Sequence, residues 1–235
     1  MRKLLLVCLL SVSAPAFAEY SSTLTMTSNY IWRGLSFSSG GAPDAASGSP
    51  VLQGSFDYAH SSGFGLSLFA GNTDTYNFST STVEKDTEAE INGTYTYNLN
   101  DEVSMGLHLF WFNYLRNSSN NSVDYGGFLR WKMIRFDFSY IPDYFGTESS
   151  DTYVRLTGTH QLSEKMGLIA HLGSSSFGNE SKVGYKNYLD HRLGVYYTVA
   201  PFTVETAYSD TDRKDLTNQK LNDKAVTISL SATFQ

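Results

Sequence analysis

The nine residues VTISLSATF, Val226 to Phe234, alternate without a break. Val226, Ile228, Leu230, Ala232 and Phe234 fall on one side, and Thr227, Ser229, Ser231 and Thr233 on the other. Side chains of a strand point to opposite faces with a period of two, so this is a strand with one apolar and one small polar face. The same pattern recurs upstream. Met105, Leu107, Leu109 and Trp111 alternate with Ser104, Gly106, His108 and Phe110, and Ile134, Phe136, Phe138 and Tyr140 alternate with Arg135, Asp137 and Ser139.

Twelve such segments are predicted: 21–36, 50–60, 63–74, 86–99, 102–115, 122–132, 133–144, 151–161, 165–175, 186–199, 201–210 and 224–234. Most are ten or more residues long, whereas strands of soluble sheets run to about 5–6 residues and tilted membrane-spanning strands to about 9–11. Very short connectors, such as Ser61-Ser62-Gly63, Lys132-Met133 and Ala200-Pro201, alternate with long polar ones at about 37–49, 75–85, 116–121, 145–150, 176–185 and 211–223. That rhythm is the one expected of short periplasmic turns and longer external loops. The long connectors hold Gly40-Gly41, Asn117 to Ser122 and Ser174-Ser175-Ser176, which are read here as unable to form a core. The expected fold is all-β, a transmembrane antiparallel β-barrel of about 12 strands. A periplasmic β-sandwich also alternates, but strand length, connector rhythm and aromatics near the ends of the apolar faces argue against it.

Composition agrees. Of 235 residues, 14% are aromatic (16 Tyr, 15 Phe and 3 Trp), with 19 Gly and only 5 Pro, a mixture suited to strands and tight turns. Arg2 and Lys3, the apolar run Leu4 to Val12 and Ala16-Phe17-Ala18 form a signal peptide, residues 1–18, leaving a barrel domain at 19–235. Its removal takes away Cys8, the sole cysteine, so no disulfide and no thiolate metal site is expected. Of 17 basic residues, all but Arg2 and Lys3 remain, 15 against 23 acidic ones, a formal charge of −8 that argues against nucleic acid as a partner. No cofactor is expected. The five histidines are scattered, no nucleophile elbow, P-loop or metalloprotease motif occurs, and an enzyme is not expected.

If the apolar face meets lipid, parity sorts the charges. In SNYIWRG (28–34), Tyr30 and Trp32 fall on the lipid side with Leu24 and Met26, and Arg33 falls on the lumen side. Gly34 then bends the chain at the rim. Tyr30, Trp32, Trp111 and Trp131 are expected as membrane-interface aromatics. The inward set comprises Arg33, Arg130, Lys132, Arg135, Arg155 and Arg192 against Asp57, Glu88, Glu90, Asp124, Asp137, Asp190 and Glu205. Charges so balanced allow two readings, an ion-pair lattice that fills the barrel or a narrow pore with a mixed-charge constriction. For the pore, the candidate lining is Arg33, Glu88, Glu90, Arg130, Arg135, Asp137, Arg192 and Glu205.

The stretches TLTMTSNYIWRGLSFS (23–38) and PVLQGSFDYAHSSGFGLSLFAGN (50–72) resemble the opening of the Gcw_chp family, also labelled TorF-family porins. The resemblance is carried by Ser28, Asn29, Tyr30, Arg33, Gly34, Gln53, Gly54, Phe56, Asp57, Tyr58, Ser62, Gly63 and Phe64. It implies a proteobacterial outer-membrane barrel and a channel role, with no substrate and no catalytic residues to carry over. The expected partners are outer-membrane lipid, small hydrophilic solutes, and the outer-membrane assembly machinery through Phe234. Outer-membrane barrels usually end on an aromatic residue, and here Gln235 follows it. The alternative to a channel is a closed structural or adhesive barrel acting through its external loops.

Overall fold

The computed structural model describes residues 18–39, 48–77 and 82–235. The expected signal segment (apart from Ala18) and Gly40-Gly41 lie outside the described residues. In chain order the strands are β1 (Ala18–Thr27), β2 (Ile31–Trp32), β3 (Leu35–Ser36), β4 (Val51–His60), β5 (Phe64–Asn77), β6 (Thr82–Asn98) and β7 (Val103–Tyr114). There follow β8 (Ser122–Trp131), β9 (Ile134–Ile141), β10 (Asp151–Gln161), β11 (Met166–Phe177), β12 (Tyr188–Val199), β13 (Phe202–Thr211) and β14 (Ala225–Phe234).

Among these residues, twelve strands close into one antiparallel barrel, with β2 and β3 forming a separate two-stranded ribbon. Closure is made by β1, which pairs with β14 on one side (Met26 opposite Leu230) and β4 on the other (Met26 opposite Leu52). No ladder edge is left open, the condition for a sheet that crosses lipid. The alternation read from sequence supplies the outer face. Leu107, Leu172 and Val226 are 67%, 65% and 67% exposed, and Leu24, Phe56, Leu129, Phe138 and Leu193 share that belt. An apolar surface of this extent suits a bilayer and not water.

The strand bounds follow the pattern closely except in β1, which ends at Thr27 instead of continuing to 36. The chain then turns into the barrel. Arg33 (φ 49°) and Gly34 (φ 77°) are the two central residues of a tight hairpin, and positive φ at both is the mark of a type I′ turn. Gly34 therefore makes an inner turn and does not bend the chain at the rim. A Cβ there would lie 2.6 Å from both Asp190 Cβ and Thr211 Cγ2, so the ribbon tip touches the barrel wall.

This overturns the membrane assignment of Tyr30 and Trp32. Both pack against the buried cluster formed by Leu35, Phe37, Phe112, Tyr114, Ile141, Tyr144, Phe145, Phe177, Val183, Tyr185, Tyr188 and Leu221. Parity failed because it assumed that β1 runs on through Trp32. Trp111 and Trp131 do lie on the outward face, 45% and 55% exposed.

The long connectors also do more than expected. Ser174-Ser175-Ser176 belong to β11, and Ser175 is fully buried on the inner wall, where a small side chain leaves room for the packed interior. Asn120 is buried and donates Nδ2 to the Tyr76 carbonyl at 3.3 Å. The segment 144–146, a one-turn helix α1 (Glu180–Val183) and Leu221 all send apolar side chains into the cluster. The apolar core of this protein is thus a plug inside the long-loop end of the barrel. At the opposite end, inward-facing Arg130 and Thr159 are exposed, so water enters the lumen from the short-turn side.

Candidate functional site

The plug and the wet half of the lumen meet at Arg33. The I′ turn aims its guanidinium across the barrel, where Nη2 donates to Asp124 Oδ2 at 2.7 Å and Nη1 donates to Asp151 Oδ2. The guanidinium carbon lies 4.2 Å from the Trp32 ring centre and 4.4 Å from that of Tyr153. Tyr188 donates its hydroxyl to the Arg33 carbonyl at 2.9 Å. Arg33 and both carboxylates are almost wholly buried. A buried arginine is tolerable only with such a set of acceptors and faces.

Above Arg33, toward the long loops, the plug is aromatic. The Phe145 ring meets those of Trp32, Phe37, Phe112, Tyr114 and Tyr144, at centroid distances from 4.8 to 5.8 Å. The Tyr144 and Tyr185 hydroxyls lie 3.3 Å apart, and burial pushes both up, Tyr144 well above its ordinary range, so both stay neutral. The loop after β13 is tied down by Arg213, which donates Nε to Asp223 Oδ2 at 2.9 Å and covers the Tyr185 ring at 4.6 Å.

Below Arg33 lies a cavity of about 440 Å³, whose lining includes Arg33, Arg135, Asp137, Arg155, Arg192 and Glu205. Register explains the convergence. Thr157 of β10 is paired with Arg135 of β9 and with His171 of β11, which is paired with Arg192 of β12, so these four stand at one level of the wall. Arg135 donates Nε to Asp137 Oδ1 at 2.8 Å, and Arg155 donates Nη2 to Asp137 Oδ2 at 3.3 Å. Arg192 is paired with Glu205. His171 Nε2 lies 2.8 Å from Asp190 Oδ1, and Tyr153 donates its hydroxyl to Asp190 Oδ2 at 3.1 Å. His108 stacks on Phe110 with centroids 4.3 Å apart, and its Nε2 is 3.6 Å from Asp124 Oδ1.

Of the eight residues expected to line a pore, Arg33, Arg135, Asp137, Arg192 and Glu205 come together here. Glu88 and Glu90 face inward from β6 but stand apart from this cavity. Glu88 accepts from the Tyr114 hydroxyl at 2.9 Å and Glu90 from Asn92 Nδ2 at 2.7 Å. Arg130 sits near the short-turn mouth. Lys132, assigned inward by parity, belongs to the turn between β8 and β9 and pairs with Glu102 at 3.2 Å. Asp151 and Tyr153 were not picked out in the sequence, although they share an inward parity with Arg155 and Thr157, which was the available signal.

No helix among the described residues is long and apolar enough to cross a membrane, which says nothing of a barrel that crosses with strands. Comparison with solved structures returns barrels of the same kind. The KdgM porin superposes with a TM-score of 0.55 at 11% identity, covering 93% of this chain and 100% of that one. The NanC porin gives 0.56 at 14% identity, covering 91% and 99%. The outer membrane channel DcaP of Acinetobacter baumannii gives 0.50 at 10% identity, covering 93% and 97%. At such identities the likeness establishes the fold alone. No curated protein matches the chain in sequence. The family model described as "Bacterial protein of unknown function (Gcw_chp)" matches residues 12–234, nearly the whole chain, and this protein belongs to that family.

Proposed function

We propose that the protein is an outer-membrane, porin-like channel for small hydrophilic solutes, held shut at its external end in this conformation by the β2–β3 ribbon. The observation that carries the reading is the cavity of about 440 Å³, lined by charged side chains, between the water-accessible short-turn half and the plug. A barrel built only for shape gains nothing from an internal space lined by charges, since each must be desolvated or paired. Solutes enter and leave through that space when the ribbon withdraws, and the charged side chains around it set ion preference. The long loops lie outside the cell, and Phe234, half exposed on β14, is the aromatic read by the assembly machinery.

The test is single-channel recording of residues 19–235 refolded into a planar bilayer under a salt gradient, with Arg33→Ala alongside. Brief ohmic steps are expected from the unmodified chain and long-lived ones from the variant. A second reading, a closed structural barrel, is favoured by the burial of Arg33 between Asp124 and Asp151. A heat-modifiable barrel silent in both forms would select it and reject the channel.

A further inference from the structure

The carboxylates around the cavity are unevenly shared. Arg33 has two of its own, Asp124 and Asp151, and Arg192 has Glu205. Arg135 and Arg155 share one, Asp137. A guanidinium offers five N–H donors, and Asp137 engages Nε of Arg135 and one Nη of Arg155. Both side chains remain 38% exposed, and Arg155 Nε is buried without an acceptor. A buried donor without a partner is costly, so the protein itself does not satisfy the Arg155 guanidinium in full. The Arg135 guanidinium is fixed in orientation by the Phe128 ring, 3.8 Å away. Phe110 and Ile169 add apolar lining to the same cavity.

We propose that Arg135 and Arg155 form a binding subsite for a small organic carboxylate, reached from the short-turn end. The paired oxygens of a carboxylate match the guanidinium fork, or can bridge two arginines as those of Asp137 do here. The ligand accepts from the guanidinium N–H groups left on the exposed parts of Arg135 and Arg155, while a short carbon chain lies along Phe110 and Ile169. The cavity volume falls within the range of small-molecule sites. This deepens the channel reading by naming a solute class, and it rests on that reading for its biological purpose.

The experiment is calorimetric titration of residues 19–235 in detergent at low ionic strength with succinate. Succinamide serves as the uncharged isostere and inorganic phosphate as a tetrahedral oxyanion. Saturable succinate binding is expected, with no succinamide binding and weaker phosphate binding. Arg155→Gln should weaken succinate about tenfold, the scale of one charge-assisted hydrogen bond, with partial recovery in Arg155→Lys. If Arg155→Gln does not give a heat-modifiable barrel, Arg135→Gln serves in its place with the same expected loss. Absent succinate binding, equal binding of succinamide, tighter binding of phosphate, or unchanged affinity in the folded variants would overturn the proposal. Channel steps without succinate binding would reject this subsite alone, and succinate binding without steps would reject the channel reading alone.

Discussion

The two ends of the barrel are built on different principles. At the long-loop end, side chains from four connectors and four barrel strands form one cluster that includes Phe145, and even arginine is buried, with Arg33 and Arg213 at 8% and 1% exposure. At the short-turn end the connectors are a few residues long, and the charges they carry stay in water. The wall between them has one repeating design, outward apolar and inward polar. The difference shows that alternation specifies the cylinder, whereas closure of its mouth is a separate problem solved by packing of the kind found in soluble cores.

Removing Arg33 should have the largest effect. Arg33→Ala leaves the almost wholly buried Asp124 and Asp151 without their counter-charge, and breaking a buried pair from one side costs about 3–5 kcal/mol. The loss should fall on the plug and spare the wall. Hydrogen exchange should rise at Ile31 to Ser36 while β4 and β5 stay protected. Equal loss of protection along the barrel strands would mean that plug and wall unfold as one cooperative unit.

Phe145→Ala comes next. Its ring is 5% exposed and touches five other aromatic rings. The cavity left behind should cost about 3 kcal/mol by the usual scale for buried aromatics. Gly34→Ala should follow at about 2 kcal/mol, since overpacking of a tight contact costs 1–3 kcal/mol and alanine disfavours a positive φ. Both are measured as shifts in the denaturant midpoint of the ribbon amides, and a midpoint unmoved in Gly34→Ala would show that the ribbon tip does not press on Asp190.

The same contrast explains what could be read in the sequence. The cylinder was legible because alternation is local, so the bounds of β4 to β14 emerge within a few residues. The inner ribbon was not legible. Tyr30 and Trp32 keep the parity of Leu24 and Met26, so the strand reads as running on, and the I′ turn carries Arg-Gly where Asn-Gly or Asp-Gly would have announced it. Partners of Arg33 stand 91 and 118 residues away, at Asp124 and Asp151, and no local pattern joins them. The plug was hidden for the same reason. Tyr144, Phe145, Tyr185 and Leu221 are isolated apolar residues in connectors that otherwise look polar, and only closure of the barrel brings them together. The pairing of Arg135 and Arg155 with Asp137 was half legible, since parity sets all three inward but register alone brings them to one place.

The smallest expected effect belongs to the other end, at Lys132. Its ammonium pairs with Glu102 at 3.2 Å with both side chains more than half exposed. An exposed pair of this kind contributes about 0–1 kcal/mol. Lys132 also carries a φ of 51°, which disfavours any side chain with a Cβ. Lys132→Gly removes the pair and relieves the backbone. Relief of a left-handed residue, about 1–2 kcal/mol, is offset by glycine's greater unfolded-state freedom, about 0.5–1 kcal/mol, and by the lost pair. The expected midpoint is therefore unchanged within about 0.5 kcal/mol, as for ordinary surface substitutions. Gly34→Ala and Lys132→Gly are the informative couple, because both alter a residue at positive φ in a two-residue turn or its equivalent. In the plug the turn is gripped from outside by Asp190 and Thr211. At the short-turn end only the chain's own conformation is at stake. A loss from Lys132→Gly as large as that from Gly34→Ala would mean that the short turns, too, are held by packing.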